Sequence, residues 1–307
     1  MVSCDSVSLY PYLFRGTIFL KNGSLVMVDP MNAGEIRILD LQTNRTIHYS
    51  MTDSLKGINP TLLPFSFYHP SGRYYHYMME NDRLKLTAQS LRFRGEMVNG
   101  GVQLNENNYA IIGYFRKLLG LYDKKSKTID YLGHYPVSVQ IPFERNAKER
   151  MVHIFQVGKI VYSEKHSKII YCSRNFAYIS CYRFTGRNLK FDWEHHIIPP
   201  PEVSIINGSI KLDSISPRGG FLSLVTAGDY IFACYQQTNL TESVPVNTYN
   251  ILVYNMFGNI IASYPIDYPL FAIAVDLEEK TIYGIYSKDD TVGFAPFLNI
   301  VVRFRFE

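Results

Sequence analysis

Two adjacent histidines, His195 and His196, are the residues that most directly suggest chemistry, because neutral imidazole is the commonest protein ligand for metal ions. Adjacent residues of a β-strand point to opposite faces, so a regular strand cannot direct both rings at one ion. The sequence also contains no Cys-x-x-Cys pair, and no Cys/His group has the spacing of a zinc site. We therefore predict no metal site and interpret the pair as a strand end before a proline loop.

A second group of candidates is expected on loops. The segment HYPVSVQIPFER carries His134, Glu144 and Arg145, and the segment SISPRGGFLSL carries Arg218 before two glycines. Functional side chains concentrate on loops, and glycine allows a ligand or a backbone to approach closely. We interpret these four residues as candidate ligand-binding residues. The alternative that they are solvated loop residues, with a weak Arg–Glu contact, stays open.

No catalytic or cofactor signature accompanies these candidates. The sequence lacks the glycine-rich dinucleotide motif, the P-loop and the nucleophile elbow. The acidic residues are dispersed, so no pair of carboxylates can be nominated for glycoside hydrolysis. We predict a non-catalytic binding or scaffold protein without a cofactor. The alternative is a hydrolase or lyase that holds a Ca²⁺ or Zn²⁺ ion.

The composition indicates a globular protein that is rich in β-strands. The chain has 307 residues, of which 47% are apolar and 19% are charged, and it contains 24 Tyr and 19 Phe but one Trp. Tyr and Phe favour strands, where a flat ring packs well on a pleated surface. The net charge of +4 is scattered along the chain, so we predict no nucleic-acid partner. No apolar run is long enough to cross a bilayer.

Short apolar strands alternate with tight polar turns along the chain, and helix signals are nearly absent. Turns are predicted at Lys21–Ser24, Gln42–Arg45, Lys124–Ser126 and Met256–Asn259. The strand–turn–strand unit recurs with an Asp or Asn before the turn, at Asp40, Asp123, Asp192 and Asn255. Asp276 also reads as a turn-former. Proline-containing segments follow several of these units, as expected where one sheet passes to the next.

This pattern predicts an all-β fold, a six-bladed β-propeller of four-stranded antiparallel blades. Blades of about 40 to 50 residues give about six in this length. We expect one domain over residues 1–307, with residues 1–8 left open as a flexible tether. The ring would close by pairing of the N- and C-terminal segments SLYPYLF and NIVVRFRF within one blade or between adjacent blades. In propellers, loops beside the central channel bind ligands, which is where we expect the candidate residues.

Three segments carry a resemblance to a known family: GYFRKLLGLYDKKSKTIDYLGHYP, SPRGGFLSL and NILVYNMFGNIIASYPIDYPLFAIAVDLEEKTIYGIY. They resemble the TolB-like six-bladed β-propellers of Bacteroidetes, with Asn255 at a position where Asp is more usual. The resemblance implies an exported or lipid-anchored protein without an established activity. It implies fold far better than function, because one fold hosts many functions.

The cysteines bear on localisation and on disulfides. Ser3-Cys4 fits the end of a bacterial lipobox, although the apolar segment that should precede it is missing and no signal peptide is visible. Cys4 is thus either a lipidation site or an exposed residue of the terminus. A predicted hairpin places Cys172 opposite Ala177 and Cys181 opposite Lys168, too far apart for a disulfide. We expect a periplasmic or surface-attached bacterial protein whose partner is a protein, a small molecule or a glycan.

Overall fold

The computed structural model of the chain describes residues 5–9, 17–21, 23–28, 35–50, 65–69, 73–80, 83–90, 98–113, 115, 117–135, 158–199, 203–206, 209–212, 218–239, 246–288 and 298–307. Twenty-five β-strands and no helix lie within these ranges, which confirms the all-β prediction. The described residues accordingly offer no helix of the length and apolarity needed to span a membrane. The strands group into two compact units.

The first unit comprises Met1–Leu91 and Tyr268–Glu307 and contains three antiparallel sheets. One sheet has the order β1-β25-β24-β23, from β1 (Asp5–Leu9), β23 (Ala272–Asp276), β24 (Thr281–Lys288) and β25 (Leu298–Arg305). The next has the order β2-β3-β4-β5, from β2 (Thr17–Lys21), β3 (Ser24–Val28), β4 (Glu35–Asp40) and β5 (Thr46–Ser50). The last contains β6 (Phe65–His69), β7 (Arg73–Glu80) and β8 (Arg83–Ser90).

The two ends of the chain meet in one sheet of this unit. β1 pairs with β25 in antiparallel register, with Val7 opposite Val301. Ser8 and Leu9, the described residues of SLYPYLF, thus pair with Ile300 and Asn299 of the expected C-terminal segment. Residues 5–8, which the sequence left open as a tether, form ladder pairs with residues 300–303. Pairing of this kind covers strand edges that would otherwise expose unpaired backbone groups.

The second unit, Arg92–Asp267, contains three four-stranded antiparallel sheets and one hairpin. The β9–β12 sheet consists of β9 (Val98–Gln103), β10 (Asn108–Gly113), β11 (Leu119–Asp123) and β12 (Thr128–Leu132). The β13–β16 sheet consists of β13 (Gly158–Ser163), β14 (Lys168–Ser173), β15 (Tyr178–Phe184) and β16 (Leu189–His196). The hairpin pairs β17 (Val203–Ile206) with β18 (Ser209–Leu212). The β19–β22 sheet consists of β19 (Arg218–Ala227), β20 (Tyr230–Asn239), β21 (Val246–Asn255) and β22 (Ile260–Ile266).

The β13–β16 sheet is buried on both faces. Ile169 and Tyr171 pack in a core with residues of the β9–β12 sheet, whereas Ile170 and Cys172 pack in a second core with the β19–β22 sheet. The alternation follows from the two-residue period of a strand. It explains why four apolar residues follow Lys168 without a break in β14, since each successive side chain enters one core or the other.

The predicted Asp and Asn turn-formers close hairpins by one mechanism. In each case Oδ1 accepts two backbone N–H groups of the turn, at 2.8 and 2.9 Å for Asp40, 2.7 and 3.1 Å for Asp123, 2.9 and 3.0 Å for Asn255, and 3.0 Å twice for Asp276. These bonds lower the pKa of the Asp40 and Asp123 carboxyl groups. Amide and carboxylate oxygens serve equally here, which is why Asn255 can stand in for Asp.

Asp192 was wrongly grouped with these turn-formers. It lies inside β16, where its Oδ2 is 2.6 Å from Nζ of Lys168. Pairing with a buried lysine therefore determines its position.

Two local registers also differ from the sequence expectation. Cys172 lies opposite Ile179, and Cys181 lies opposite Ile170, because the loop between β14 and β15 is longer than expected. The two thiols remain buried and unpaired. β22 runs through Pro265 instead of ending before it. Proline is tolerated there because β22 is an edge strand, whose outward N–H group needs no ladder partner.

Candidate functional site

The first strands of the three large sheets in the second unit lie side by side, since β13 contacts both β9 and β19. Gly158, at the start of β13, lies opposite Ser173, at the end of β14. The loop between β14 and β15 therefore lies at the same end of the sheet as the start of β13. We call the start of β13, this loop (residues 173–177) and the start of β19 the β13 end.

The loop of the β13 end is anchored by two hydrogen bonds and by one buried ring. Oγ of Ser173 accepts the backbone N–H of Phe176 at 3.3 Å, and the carbonyl of Phe176 accepts the N–H of Tyr178 at 2.8 Å. The ring of Phe176 is buried in the core shared with the β9–β12 sheet. Because both flanks of the loop are fixed, Arg174 and Asn175 are held at the surface.

The start of β19 packs directly on this loop. A Cβ atom at Gly220 would overlap the carbonyl group of Arg174, and at Gly219 it would overlap the hydroxyl group of Tyr235. Only glycine, which lacks a Cβ atom, fits at these two positions. The sequence suggested that a ligand or a backbone approaches the Gly-Gly pair closely, and in the structure neighbouring protein groups make this approach.

Two basic side chains project at the β13 end. Lys159 is opposite Cys172 in the ladder and shares the strand face of Val161, which packs toward the β19–β22 sheet. Part of the Lys159 side chain is exposed to solvent, and protein atoms surround the rest. This desolvation, together with the positive charge of Arg174, lowers the pKa of Lys159 below its ordinary value. Within the described part of the chain, neither Lys159 nor Arg174 has an ion-pair or hydrogen-bond partner.

Neutral hydroxyl and thiol groups lie beneath this surface. The hydroxyl groups of Tyr235 and Tyr254 are buried and have no hydrogen-bond partner among the described residues. Burial raises the pKa of Tyr235 to about 12 and that of the Cys172 thiol to about 12. These groups stay protonated at neutral pH, so Cys172 is not an activated nucleophile.

The structure describes two of the four loop candidates predicted from the sequence. His134 follows β12, the outermost strand of the β9–β12 sheet, and is exposed. Arg218 is the first residue of β19, which places its backbone two residues before Gly220 at the β13 end. Glu144 and Arg145 lie outside the described residues, as does Cys4.

Sequence reasoning missed Lys159 and Arg174. Lys159 begins an apolar strand, and Arg174 sits in a short turn, where a solvated charge is the ordinary interpretation. Their proximity arises from strand pairing and from the packing of β19, neither of which is visible as a motif.

His195 and His196 point to opposite faces of β16, as predicted. The His195 ring lies 6.1 Å from the ring of Tyr254, and the His196 ring lies 4.9 Å from that of Tyr178. Tyr254 and Tyr178 belong to different cores. Over the described ranges, no three His, Cys, Asp or Glu side chains cluster as metal ligands would.

A polar cluster of a different kind lies at the opposite end of β14. Nζ of Lys168 contacts Oδ2 of Asp192 at 2.6 Å and donates to the carbonyl of Met256 at 2.5 Å. The same carbonyl accepts Nε1–H of Trp193 at 3.1 Å. Arg183 lies 3.5 Å from the other oxygen of Asp192. The charges compensate one another, so this cluster joins β14 and β16 to the β21–β22 turn.

Comparisons with known proteins bear on the fold. No protein-family model and no curated protein matches the chain. A Bacteroides fragilis protein predicted to be exported is 12% identical, with a TM-score of 0.50 over 99% of this chain and 96% of that one. The β-propeller domain of Myceliophteria thermophila Cps50 (Swd1) is 10% identical, with a TM-score of 0.44 over 96% and 99% of the two chains. Streptogramin B lyase is 10% identical, with a TM-score of 0.46 over 99% and 98%. Each identity is 12% or lower, so these likenesses concern the fold alone, and one of the three structures is described as a β-propeller domain.

Proposed function

We propose that the chain is a six-bladed β-propeller that binds a ligand at the β13 end without transforming it. Among the described residues, five antiparallel sheets of four strands and one of three, beside the β17–β18 hairpin, support the blade number. The pairing of β1 with β25 supports closure of the ring. The observation that carries the binding proposal is the pair of exposed basic side chains, Lys159 and Arg174, which lack protein partners among the described residues.

Propellers include both binding scaffolds and enzymes, so the fold does not decide between them. Among the described residues, the chemistry at the β13 end favours binding. Its thiol and the Tyr235 hydroxyl are protonated, and its two cations are exposed. Such a site offers charge and hydrogen-bond donors but no activated nucleophile.

The binding proposal is tested by pull-down from a bacterial extract, with bound small molecules identified by mass spectrometry. We expect a protein, small-molecule or glycan ligand that the wild type retains and that Arg174→Ala and Arg218→Ala lose. Lys125→Ala, in the exposed β11–β12 turn, is the matched control and should retain it. Equal retention by all variants would place the ligand elsewhere.

Metal analysis of the purified protein separates this proposal from a metal-dependent hydrolase or lyase. We expect no stoichiometric Ca²⁺ or Zn²⁺. A full equivalent of either ion would favour the enzyme.

We also propose that the protein acts at or beyond the inner membrane of a bacterium, tethered through a lipid on Cys4. Support comes from Ser3-Cys4 and from the TolB-like resemblance. Metabolic labelling with a fatty-acid analogue should mark the wild type in cells, whereas Cys4→Ser should remain unlabelled. Absence of label in both would remove the lipid tether from the proposal.

A further inference from the structure

Two lysines of the β13–β14 hairpin are paired with carboxylates, and they contrast with the two cations of the β13 end. Lys165 lies 2.6 Å from Asp229, and Lys168 lies 2.6 Å from Asp192. Lys159 and Arg174 have no such partner in the described part of the chain, although the charge of Arg174 acts on Lys159. Two like charges held together without a counter-charge favour a negatively charged ligand.

The two cations are held by rigid elements. Lys159 lies within a ladder pair whose opposite residue, Cys172, is completely buried. Arg174 lies between Ser173 and Phe176, both of which are buried. The charges are therefore positioned before a ligand arrives, which reduces the conformational entropy lost on binding.

A neutral donor adds to the cations. The hydroxyl group of Tyr235 borders Gly219 at the start of β19, and it has no acceptor among the described residues. Tyr235 is 3% exposed, and its raised pKa keeps the hydroxyl protonated. This hydroxyl lies against Gly219, whose neighbour Gly220 packs on the carbonyl of Arg174, and it gains a partner if an anionic oxygen reaches it.

From this arrangement we infer that the β13 end binds an anion, and that Lys159 and Arg174 make the charge contacts. The inference rests on the proposed binding function and specifies its ligand class. Arginine presents a planar fork that matches two oxygens of one group, and lysine adds a compact charge. Phosphate and carboxylate groups both satisfy this geometry, so the ligand is a molecule that carries one of them.

The test is titration of the full chain with inorganic phosphate and with citrate by isothermal calorimetry at low ionic strength. We expect saturable binding of at least one anion by the wild type. Lys159→Gln and Arg174→Gln should each weaken the affinity about tenfold or more, as expected for loss of one charge-assisted contact. Lys125→Gln should bind as the wild type does. Circular dichroism verifies that each variant keeps its sheet content.

The two anions distinguish a phosphate site from a carboxylate site. The inference is overturned if the wild type binds neither anion, or if Lys125→Gln weakens binding as much as the two test variants do. A ligand from the pull-down that Arg174→Ala loses, together with no binding of either anion, would leave the binding function standing and remove the anion. No ligand in the pull-down and no anion binding would remove both.

Discussion

Replacing Lys168 by methionine is expected to lower the free energy of unfolding by about 3 kcal/mol. Methionine keeps most of the side-chain volume, so the change removes the charge and its contacts without opening a large cavity. Lys168 is buried, and Asp192 is largely so, with 24% of its side chain exposed. Removal of one partner of a buried ion pair leaves the other charge uncompensated and typically costs about 3–5 kcal/mol.

The structure places this variant at the low end of that range for two reasons. Arg183 stays 3.5 Å from Asp192 and compensates part of its charge. The Met256 carbonyl also keeps its hydrogen bond from Trp193. In the double variant Lys168→Met/Asp192→Leu no buried charge is left unpaired, so much of the lost stability should return.

Urea-induced unfolding measures these differences, and Trp193, the single tryptophan of the chain, reports on the site by fluorescence. Lys165→Met is the matched control, because its pair with Asp229 is exposed at 62% and 58%. Exposed pairs contribute about 0–1 kcal/mol. If Lys168→Met cost no more than Lys165→Met, the reasoning that burial makes this ion pair important would be refuted.

Three further predictions concern packing, thiols and acid stability. Gly220→Ala should destabilise the protein by about 1–3 kcal/mol in urea unfolding, because the added methyl group meets the backbone of the neighbouring loop; a cost below about 0.5 kcal/mol would contradict the close packing. Cys172 and Cys181 should react with a thiol reagent at pH 8 only after unfolding, because both are buried and each pKa is raised to about 12; rapid labelling of the native protein at either position would refute this. Asp40→Asn and Asp123→Asn should reduce the loss of stability in acid. The folded pKa of each carboxyl is lowered, so its contribution is present above the unfolded value, near 3.8, and is lost as pH falls through the folded value; urea midpoints between about pH 5 and pH 2.5 that fall equally in variant and wild type would count against it.

Local chemistry explains what the sequence predicted well. An Asn or Asp before a turn accepts two N–H groups wherever the chain reverses, so Asp40 and Asn255 identified their hairpins without knowledge of the fold. The pairing of β1 with β25 was also expected, because the propeller predicted from the sequence would bring the two ends of the chain together.

Long-range contacts explain what the sequence could not predict. Asp192 resembles the turn-formers in sequence, but a lysine from another strand determines its role. The β14–β15 register depends on the burial of Phe176 and Ala177 in two different cores, which lengthens the loop beyond a tight turn. Contacts between strands determine such positions, and the residue pattern of a single strand carries no information about those contacts.

Lys159 and Lys168 show most directly what the sequence alone cannot predict. They begin the segments GKIVYS and SKIIYCS on neighbouring strands, so their local sequences are nearly the same. Because the strands are antiparallel, Lys168 lies opposite Ser163 while Lys159 lies opposite Cys172, at the other end of the sheet. One lysine meets a carboxylate and is buried, and the other meets an arginine and faces solvent. The same residue in the same pattern is therefore structural at one end of the sheet, and at the other it is available to a ligand.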